Sequence, residues 1–324
     1  MKIGKALIGF LLLSIFYLAM LVWADSKNQV LYLLPLLAHA IPVLMGISLC
    51  TYCIRYLRWR WLLRRSGYPV AWGYGLISYI AGFAFTATPG KVGELIRIRY
   101  FTKVGVPQDV SFGAFVYERA LDLIVVLVLA SLAISSIDLL TVAIIFVLIF
   151  IALLAIIACN SSLLTNVSAL FKRRSWFRLE KITLTVRDGL ISCRSWFTPL
   201  DLAVSIGLGL VAWGITSYAF MWLLEDLAIS ISPLSSFSIY PLAMLAGAAS
   251  MLPGGVGSTE LTIVILLGFY GIASTTAVLA AVGIRFATIW FSVLAGFACM
   301  GLLEIMSRKQ KFIHGEKFMG SNIP

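Results

Sequence analysis

The sequence predicts an all-α polytopic membrane protein, a bundle of helices that crosses the bilayer several times. Three observations carry this. Hydrophobic residues make up 61% of the 324 positions and charged residues only 12%, about half the charge of an average soluble domain. Apolar runs near 20 residues recur along the whole length, and about 20 residues span the hydrocarbon core as a helix. The basic residues, which set a net charge of +11, gather in clusters between those runs. That is the pattern of loops facing the cytoplasm and anionic lipid rather than of a surface for nucleic acid. No polar stretch is long enough for a soluble domain of typical size, so any function sits in the membrane or at its surface.

The elements follow in order. Lys2 and Lys5 precede the first run, Ile3–Trp23. Val22-Trp23-Ala24 resembles a signal-peptide cleavage site, but the run exceeds a usual signal core, so a retained helix is expected. It exits at Asp25. Leu31–Ile54 returns and ends in Arg55, Arg58, Arg60, Arg64 and Arg65, the strongest cytoplasmic marker in the chain. The stretch Val70–Val104 is broken by Thr88-Pro89-Gly90 and ends in Arg97, Arg99 and Lys103. A hairpin entering and leaving from the cytoplasm fits both of its ends. Phe112–Ile134 exits to the turn Ser135–Asp138, and Leu139–Cys159 returns. Residues 160–198 then form a basic, amphipathic cytoplasmic loop. Its Lys172-Arg173-Arg174, interleaved with Phe171, Trp176 and Phe177, suits anionic headgroups or serves simply as a topology signal. Leu202–Leu224 exits to Glu225-Asp226. A second interrupted stretch, Pro233–Tyr270, is broken by Pro253-Gly254-Gly255, and Ala273–Leu303 returns to Arg308, Lys309, Lys311 and Lys317. This order puts 21 of the 25 Lys and Arg inside and Lys27 outside, with Lys91, Arg119 and Arg285 in membrane segments. It implies a multi-pass protein of the plasma (inner) membrane, one transmembrane domain over residues 1–324, with both termini cytoplasmic.

The chain also repeats itself. Pro89-Gly90-Lys91-Val92-Gly93-Glu94-Leu95 matches Pro253-Gly254-Gly255-Val256-Gly257-Ser258-Thr259-Glu260-Leu261, with two extra residues in the second copy. From there the register holds at an offset of 166, pairing Glu94 with Glu260, Gly105 with Gly271 and Arg119 with Arg285. Upstream, Trp61-Leu62-Leu63 resembles Trp222-Leu223-Leu224. Each unit, residues 30–135 and residues 199–304, reads as helix, Pro-Gly-broken re-entrant hairpin, helix. The charge pattern starts the first unit outside and the second inside, so the repeat is inverted. Inverted repeats with broken helices are a transporter architecture, with the site at the repeat interface near the midplane.

Several residues carry candidate chemistry. Thr88 is a good N-cap and Pro89 suits a first helical turn, so a half-helix is expected to start there, its free N–H groups turned to an anion such as phosphate. Pro253, Gly254, Gly255 and Gly257 are expected to do the same in the second unit, as Gly90 and Gly93 do in the first, because glycine lets backbone approach a ligand. A packing kink is the alternative. Arg119 and Arg285 lie about seven and about twelve residues into their runs, roughly 10 and 18 Å deep. Arginine at such depth is costly unless paired, and its fork matches phosphate bidentately. Glu94 and Glu260 are the expected counter-charges. Glu118 and Asp122, four apart on one helix face around Arg119, form either a structural ion cluster or a proton-coupling site. Cys50-x-x-Cys53 has redox spacing but lies in a spanning helix, where inert thiols are expected. His39 is read as a packed or hydrogen-bonded helix residue and His314 as tail. No Walker motif, zinc spacing or Ser/His/Asp arrangement is present, so no catalytic residue, metal or cofactor is expected.

At Thr88–Arg99, Glu118-Arg119-x-x-Asp122 and Pro253–Glu260, the chain resembles the flippase-like transmembrane region of lysylphosphatidylglycerol synthases, including stand-alone members that consist of this region. The resemblance covers nearly the whole chain. It implies movement of a phospholipid between leaflets, with membrane lipids bearing an anionic or phosphate headgroup as partners and a second copy of the chain as a further candidate. Stand-alone relatives are associated with other lipids, polyprenyl-linked ones among them. In two-part proteins a soluble domain makes the lipid, and no polar stretch here is long enough for it. The expected function is therefore lipid translocation. The rivals are an intramembrane enzyme acting on a lipid-linked substrate and a secondary transporter of ions or small solutes.

Overall fold

The computed structural model describes residues 34–132, 141, 144–149, 152, 156, 161–174 and 176–320, with side chains up to Ser307. The expected helix Ile3–Trp23, Lys27, the turn Ser135–Asp138, most of Leu139–Cys159 and the His314 side chain lie outside the described residues. Among the described residues the protein is helical throughout, without a strand. α1 spans Ala40–Arg65, α2 Trp72–Ala81, α3 Arg97–Thr102 and α4 Gln108–Ser131. α5 (Ser161–Arg173) and α6 (Phe177–Cys193) follow. Then come α7 (Pro199–Asp226), α8 (Pro233–Ala249), α9 (Ser258–Phe269), α10 (Ser274–Arg285) and α11 (Phe291–Gly320).

Local sequence explains where these helices start and stop. α7 begins at Pro199 behind Thr198, whose Oγ1 accepts the Asp201 N–H at 3.2 Å. α8 begins at Pro233 behind Ser232, whose Oγ accepts the Ser235 N–H at 3.2 Å. Each is an N-cap followed by a proline that needs no partner for its nitrogen. α1 ends at Gly67, which takes φ +85°, as the left-handed stop of a helix requires.

Three stretches are long and apolar enough to cross a membrane: Ala40–Arg65, Pro199–Asp226 and Ser274–Ser307. α4 is 24 residues long, but Glu118, Arg119 and Asp122 interrupt its apolar character, and Glu118 and Asp122 are buried. α1 differs from the expected Leu31–Ile54. It begins later and runs on through Arg55, Arg58 and Arg60 to Arg65. Arg58 is 1% exposed. The arginines that read as a cytoplasmic cluster are partly interior, because α4 brings carboxylates to meet them.

The two units pack with the reciprocity of a two-fold relation. At one end of the α1–α7 pair, Arg65 Nε binds Asp201 Oδ1 at 3.0 Å. At the other, His39 Nε2 lies 2.7 Å from Asp226 Oδ1. The first helices of the units are thus antiparallel. α4 packs on α8 while α11 packs on α2, and the two Pro-Gly turns touch each other. In each case an element meets either its own counterpart or, in exchange, the partner of its counterpart, as in an isologous contact. The expected loop 160–198 is a helical hairpin, α5 with α6, seated on α4. A Cβ at Gly113 would come 2.6 Å from Gly189 O, so two glycines bring α4 and α6 into backbone contact. Cys193 closes the same seam, its thiol donating to Gly113 O at 3.2 Å. Burial pushes that thiol up to about 12, far from the range of a reactive cysteine.

Candidate functional site

The two Pro-Gly turns have the same backbone. Gly90 and Lys91 take φ +59° and +57°, and Gly254 and Gly255 take φ +63° and +64°. Each stretch therefore opens with two successive left-handed residues, a conformation that costs a side-chain-bearing residue roughly 1–2 kcal/mol. The expected half-helix at Pro89 is displaced by this turn. Thr88 Oγ1 caps Gly93 instead, accepting its N–H at 2.7 Å. In the second unit a third residue takes positive φ, Gly257 at +87°, the counterpart of Gly93, just before the two extra residues. α9 starts behind it, and Glu260 Oε2 accepts the Gly257 N–H at 2.8 Å. The free N–H groups expected to greet an anion are thus partly met by the chain's own Thr88 hydroxyl and Glu260 carboxylate. Gly254 sits tight against the first unit, its hypothetical Cβ 3.3 Å from Ala87 Cα. Pro89 and Pro253 lead the two turns into this contact.

Each repeat glutamate is held by an arginine. Arg285 Nε binds Glu260 Oε1 at 2.8 Å, and its Nη2 donates to Gly254 O at 2.6 Å. This is the expected pairing, and it ties α10 to both ends of the second turn. In the first unit the partner is different. Glu94 is bound by Arg97, one helical turn along, and by Thr86 Oγ1 at 2.7 Å. Arg119 stands within electrostatic reach of Glu94, but its ion pairs go to Glu118 at 3.3 Å and Asp122 at 3.2 Å. Arg97 displaces it because α3 continues directly from the turn and brings residue 97 over residue 94.

Glu118 and Asp122 are the centre of a buried ion cluster. Arg58 Nη2 binds Asp122 at 2.7 Å and Glu118 at 3.1 Å, and Arg55 Nη1 binds Asp122 at 3.2 Å. Tyr79 donates its hydroxyl to Glu118 at 2.5 Å. Arg97 also lies over the Tyr79 and Trp59 rings, 4.4 and 4.9 Å from their centroids, a cation–π setting that suits a desolvated guanidinium.

Around the turns the cations outnumber the carboxylates. Arg55, Arg58, Lys91, Arg97, Arg119 and Arg285 meet Glu94, Glu118, Asp122 and Glu260. With all ten ionised, two positive charges are in excess. Donors are in excess too: Arg58 Nε, Arg58 Nη1 and Arg119 Nε are buried without an acceptor among the described residues.

Two adjacent cavities lie against this cluster. The first, about 100 Å³, is lined by polar groups from both units, among them Ser48, Arg55, Glu94, Arg119, Thr216 and Arg285. The second, about 440 Å³, is lined mainly by apolar side chains such as Val92, Phe115, Leu123, Val126, Phe146 and Leu252. Lys91, Arg119, Trp213, Met244 and Gly254 line both. A short π-helical segment, Phe286–Trp290, lies beside the polar cavity and turns Ala287 O toward Ser48, which donates to it at 2.8 Å. Such bulges are frequent at functional sites.

The family model of the lysylphosphatidylglycerol synthase transmembrane region matches residues 6–296. The chain belongs to this family. Membership of the lysylphosphatidylglycerol synthase transmembrane-region family ties it to membrane-lipid function. No curated protein matches the chain.

Of the residues singled out in the sequence, Glu94, Arg119, Gly254 and Arg285 line the first cavity and Thr88, Gly90 and Gly255 the second, whereas Pro89, Gly93, Pro253, Gly257 and Glu260 are in neither lining. Sequence reasoning missed Arg55, Arg58, Lys91 and Arg97 as site residues, together with Tyr79 and Trp213. The arginines were hidden because each sits near the end of an apolar run, where a basic residue reads as a topology signal. One signal was present: Arg55 and Arg58 are three apart, hence on one helix face, as are Glu118 and Asp122.

Proposed function

We propose that the protein is a lipid translocase that moves a phosphate-bearing lipid between the leaflets of the membrane, and that it is not an enzyme. The observation that carries this is the placement of a polar chamber holding excess positive charge beside a larger apolar cavity, with Lys91, Arg119, Trp213, Met244 and Gly254 lining both. Such a pair accommodates an amphiphile, with the anionic headgroup among the guanidinium groups and the chain in the apolar part. The chamber is lined from both repeat units, so a rearrangement of one unit against the other would alter access to it, as alternating access requires. In the resting state Arg285 is neutralised by Glu260, and the surplus on Arg55, Lys91 and Arg119 is what an arriving phosphate would meet. Phosphate then competes with carboxylate for the same forks, which links binding to movement of the turns.

The test is leaflet exchange in liposomes with fluorescent phospholipids and lipid phosphates, at matched protein levels. Exchange without a new lipid product is the expected result. Arg119→Lys and Arg285→Lys keep the charge but lose the bidentate fork, and each should slow exchange about tenfold or more while inserting normally. Glu94→Gln and Glu260→Gln remove the competitor of phosphate and should slow release more than binding. A new lipid product would make the protein an enzyme. Uptake of a water-soluble solute in place of lipid exchange would make it a solute transporter. Parent-rate exchange in all four variants would reduce these residues to structural ones.

A further inference from the structure

We propose that the lipid carried is a phosphate monoester, bound as the dianion at the neck between the two cavities, with Lys91 as the residue that selects it. This rests on the reading of the site as a lipid site and narrows it to one headgroup class.

Three observations converge on Lys91. Lys91 is the one non-glycine among the four left-handed residues that open the two turns, and its counterpart Gly255 takes the same backbone without a side chain. A lysine in a conformation that glycine takes without strain points to a role for its side chain. Among the described residues its ammonium makes no ion pair and no hydrogen bond, although it lies in reach of Arg119 and Glu94. It lines both cavities, as Arg119 does, so it stands where the phosphate of a lipid must sit when headgroup and chain occupy different chambers.

The charge count sets the valence. A surplus of two positive charges matches a phosphate monoester, which carries about −1.5 to −2 at pH 7 because its second pKa is about 6. A phosphodiester brings one negative charge, and a zwitterionic or aminoacylated headgroup less. Size agrees with charge. The polar cavity, about 100 Å³, admits a compact oxyanion but is well below the roughly 300–1,000 Å³ of pockets for drug-sized ligands. The apolar cavity, about 440 Å³, lies within that range and receives the first part of a chain.

The site is also single. At the repeat offsets, Arg55, Arg58, Lys91, Arg97 and Glu118 correspond to Thr216, Ala219, Gly255, Ile263 and Ile284. The charges belong to the first unit, so one phosphate is gripped there rather than one per unit.

The test is competition binding to the full chain in nanodiscs of zwitterionic lipid. The probes are a fluorescent fifteen-carbon isoprenyl monophosphate, its methyl ester and inorganic phosphate. At pH 7.5 the monophosphate should bind at least tenfold more tightly than the methyl ester. Going from pH 7.5 to pH 5 protonates the probe through its second pKa, so that preference should shrink severalfold. The groups facing the neck are Tyr52 and Arg55 of α1, Lys91 and Glu94 of the first turn and α3 approach, Arg119 and Asp122 of α4, Tyr240 of α8 and Arg285 of α10. The methyl ester, which does not titrate in this window, reports any change in them. Lys91→Gly places the residue of the second unit at this position and relieves the backbone. It should weaken monophosphate binding about tenfold and binding of the singly charged methyl ester by a clearly smaller factor, about threefold, so that the preference for the monoester shrinks, while Lys91→Arg restores binding with the same pH profile. Equal affinity for monoester and methyl ester would overturn the monoester assignment and leave the lipid-phosphate site standing. Failure of both esters to bind would overturn the site as well. Inorganic phosphate binding as tightly as the isoprenyl probe would show that the ligand is the free ion and that the apolar cavity takes no chain.

Discussion

Arg58 shows what a guanidinium requires at this depth. Its charge is answered by Glu118 and Asp122 from α4 at 3.1 and 2.7 Å, and those carboxylates in turn hold Arg55, Arg97 and Arg119. The members are not separable, because removing one partner of a buried pair leaves the other uncompensated. Glu118→Gln deletes the charge that Arg58, Arg97 and Arg119 share and keeps the shape. It should destabilise the protein by about 3 kcal/mol or more, read as a lower midpoint of unfolding in detergent. Tyr79→Phe, which removes only the hydroxyl donor to Glu118, should cost about 1–2 kcal/mol. Equal midpoints for parent and Glu118→Gln would mean that the cluster adds nothing to the fold. At this scale the sequence disclosed Arg119 and Arg285, since each interrupts an apolar run far from its ends. It concealed Arg97, whose role follows from a turn geometry that no spacing encodes.

At the scale of elements, the Pro-Gly turns do the positioning. Their left-handed residues reverse the chain where regular helix would carry it onward, and the turns then touch. Gly254 has two reasons to be glycine: φ +63°, and a hypothetical Cβ 2.5 Å from Ile289 Cδ1 and 3.3 Å from Ala87 Cα. Gly254→Ala should therefore force the two turns apart, lowering the unfolding midpoint and abolishing leaflet exchange. Gly105→Ala has a similar φ of +87° but no neighbour within 4 Å, and should cost only the backbone strain, about 1–2 kcal/mol. If the two variants behave alike in exchange, turn–turn contact is not what matters. The glycines and prolines were legible as interruptions. The half-helix expected at Pro89 begins instead just past the left-handed pair Gly90-Lys91, because Thr-Pro-Gly satisfies both an N-cap and a left-handed turn, and the contact with the second turn favours the latter.

At the scale of the whole molecule, the antiparallel pairing of α1 with α7 and the exchanged contacts of α2, α4, α8 and α11 make two units into one body. A helix that spans the membrane presents its two ends to opposite sides, so α7 offers a direct test of orientation. Single cysteines at Ser195 and Ser230, both exposed, in a background without Cys50, Cys53, Cys159, Cys193 and Cys299, should label oppositely with an impermeant reagent. Ser195 is expected to be cytoplasmic, beside the basic hairpin α5–α6, and Ser230 external. Labelling of Ser195 from outside would reverse the orientation drawn from the basic residues. Arg55, Arg58 and Arg97 must be withdrawn from that charge count in any case, since they serve the interior.

The sequence by itself determined the helical, membrane-spanning class, because hydropathy summed over 20 residues decides where a segment resides. It determined the repeat as well, because Glu94/Glu260, Gly105/Gly271 and Arg119/Arg285 keep one offset. Both properties are local sums or direct comparisons along the chain. Tertiary structure decided the partners. Whether Arg58 marks a loop or neutralises Glu118 depends on the distance between α1 and α4, and whether Lys91 faces water or a cavity depends on how two turns meet. Charge at the end of an apolar run reads the same in both cases; only the presence of a carboxylate across the bundle makes burial affordable for one and not the other.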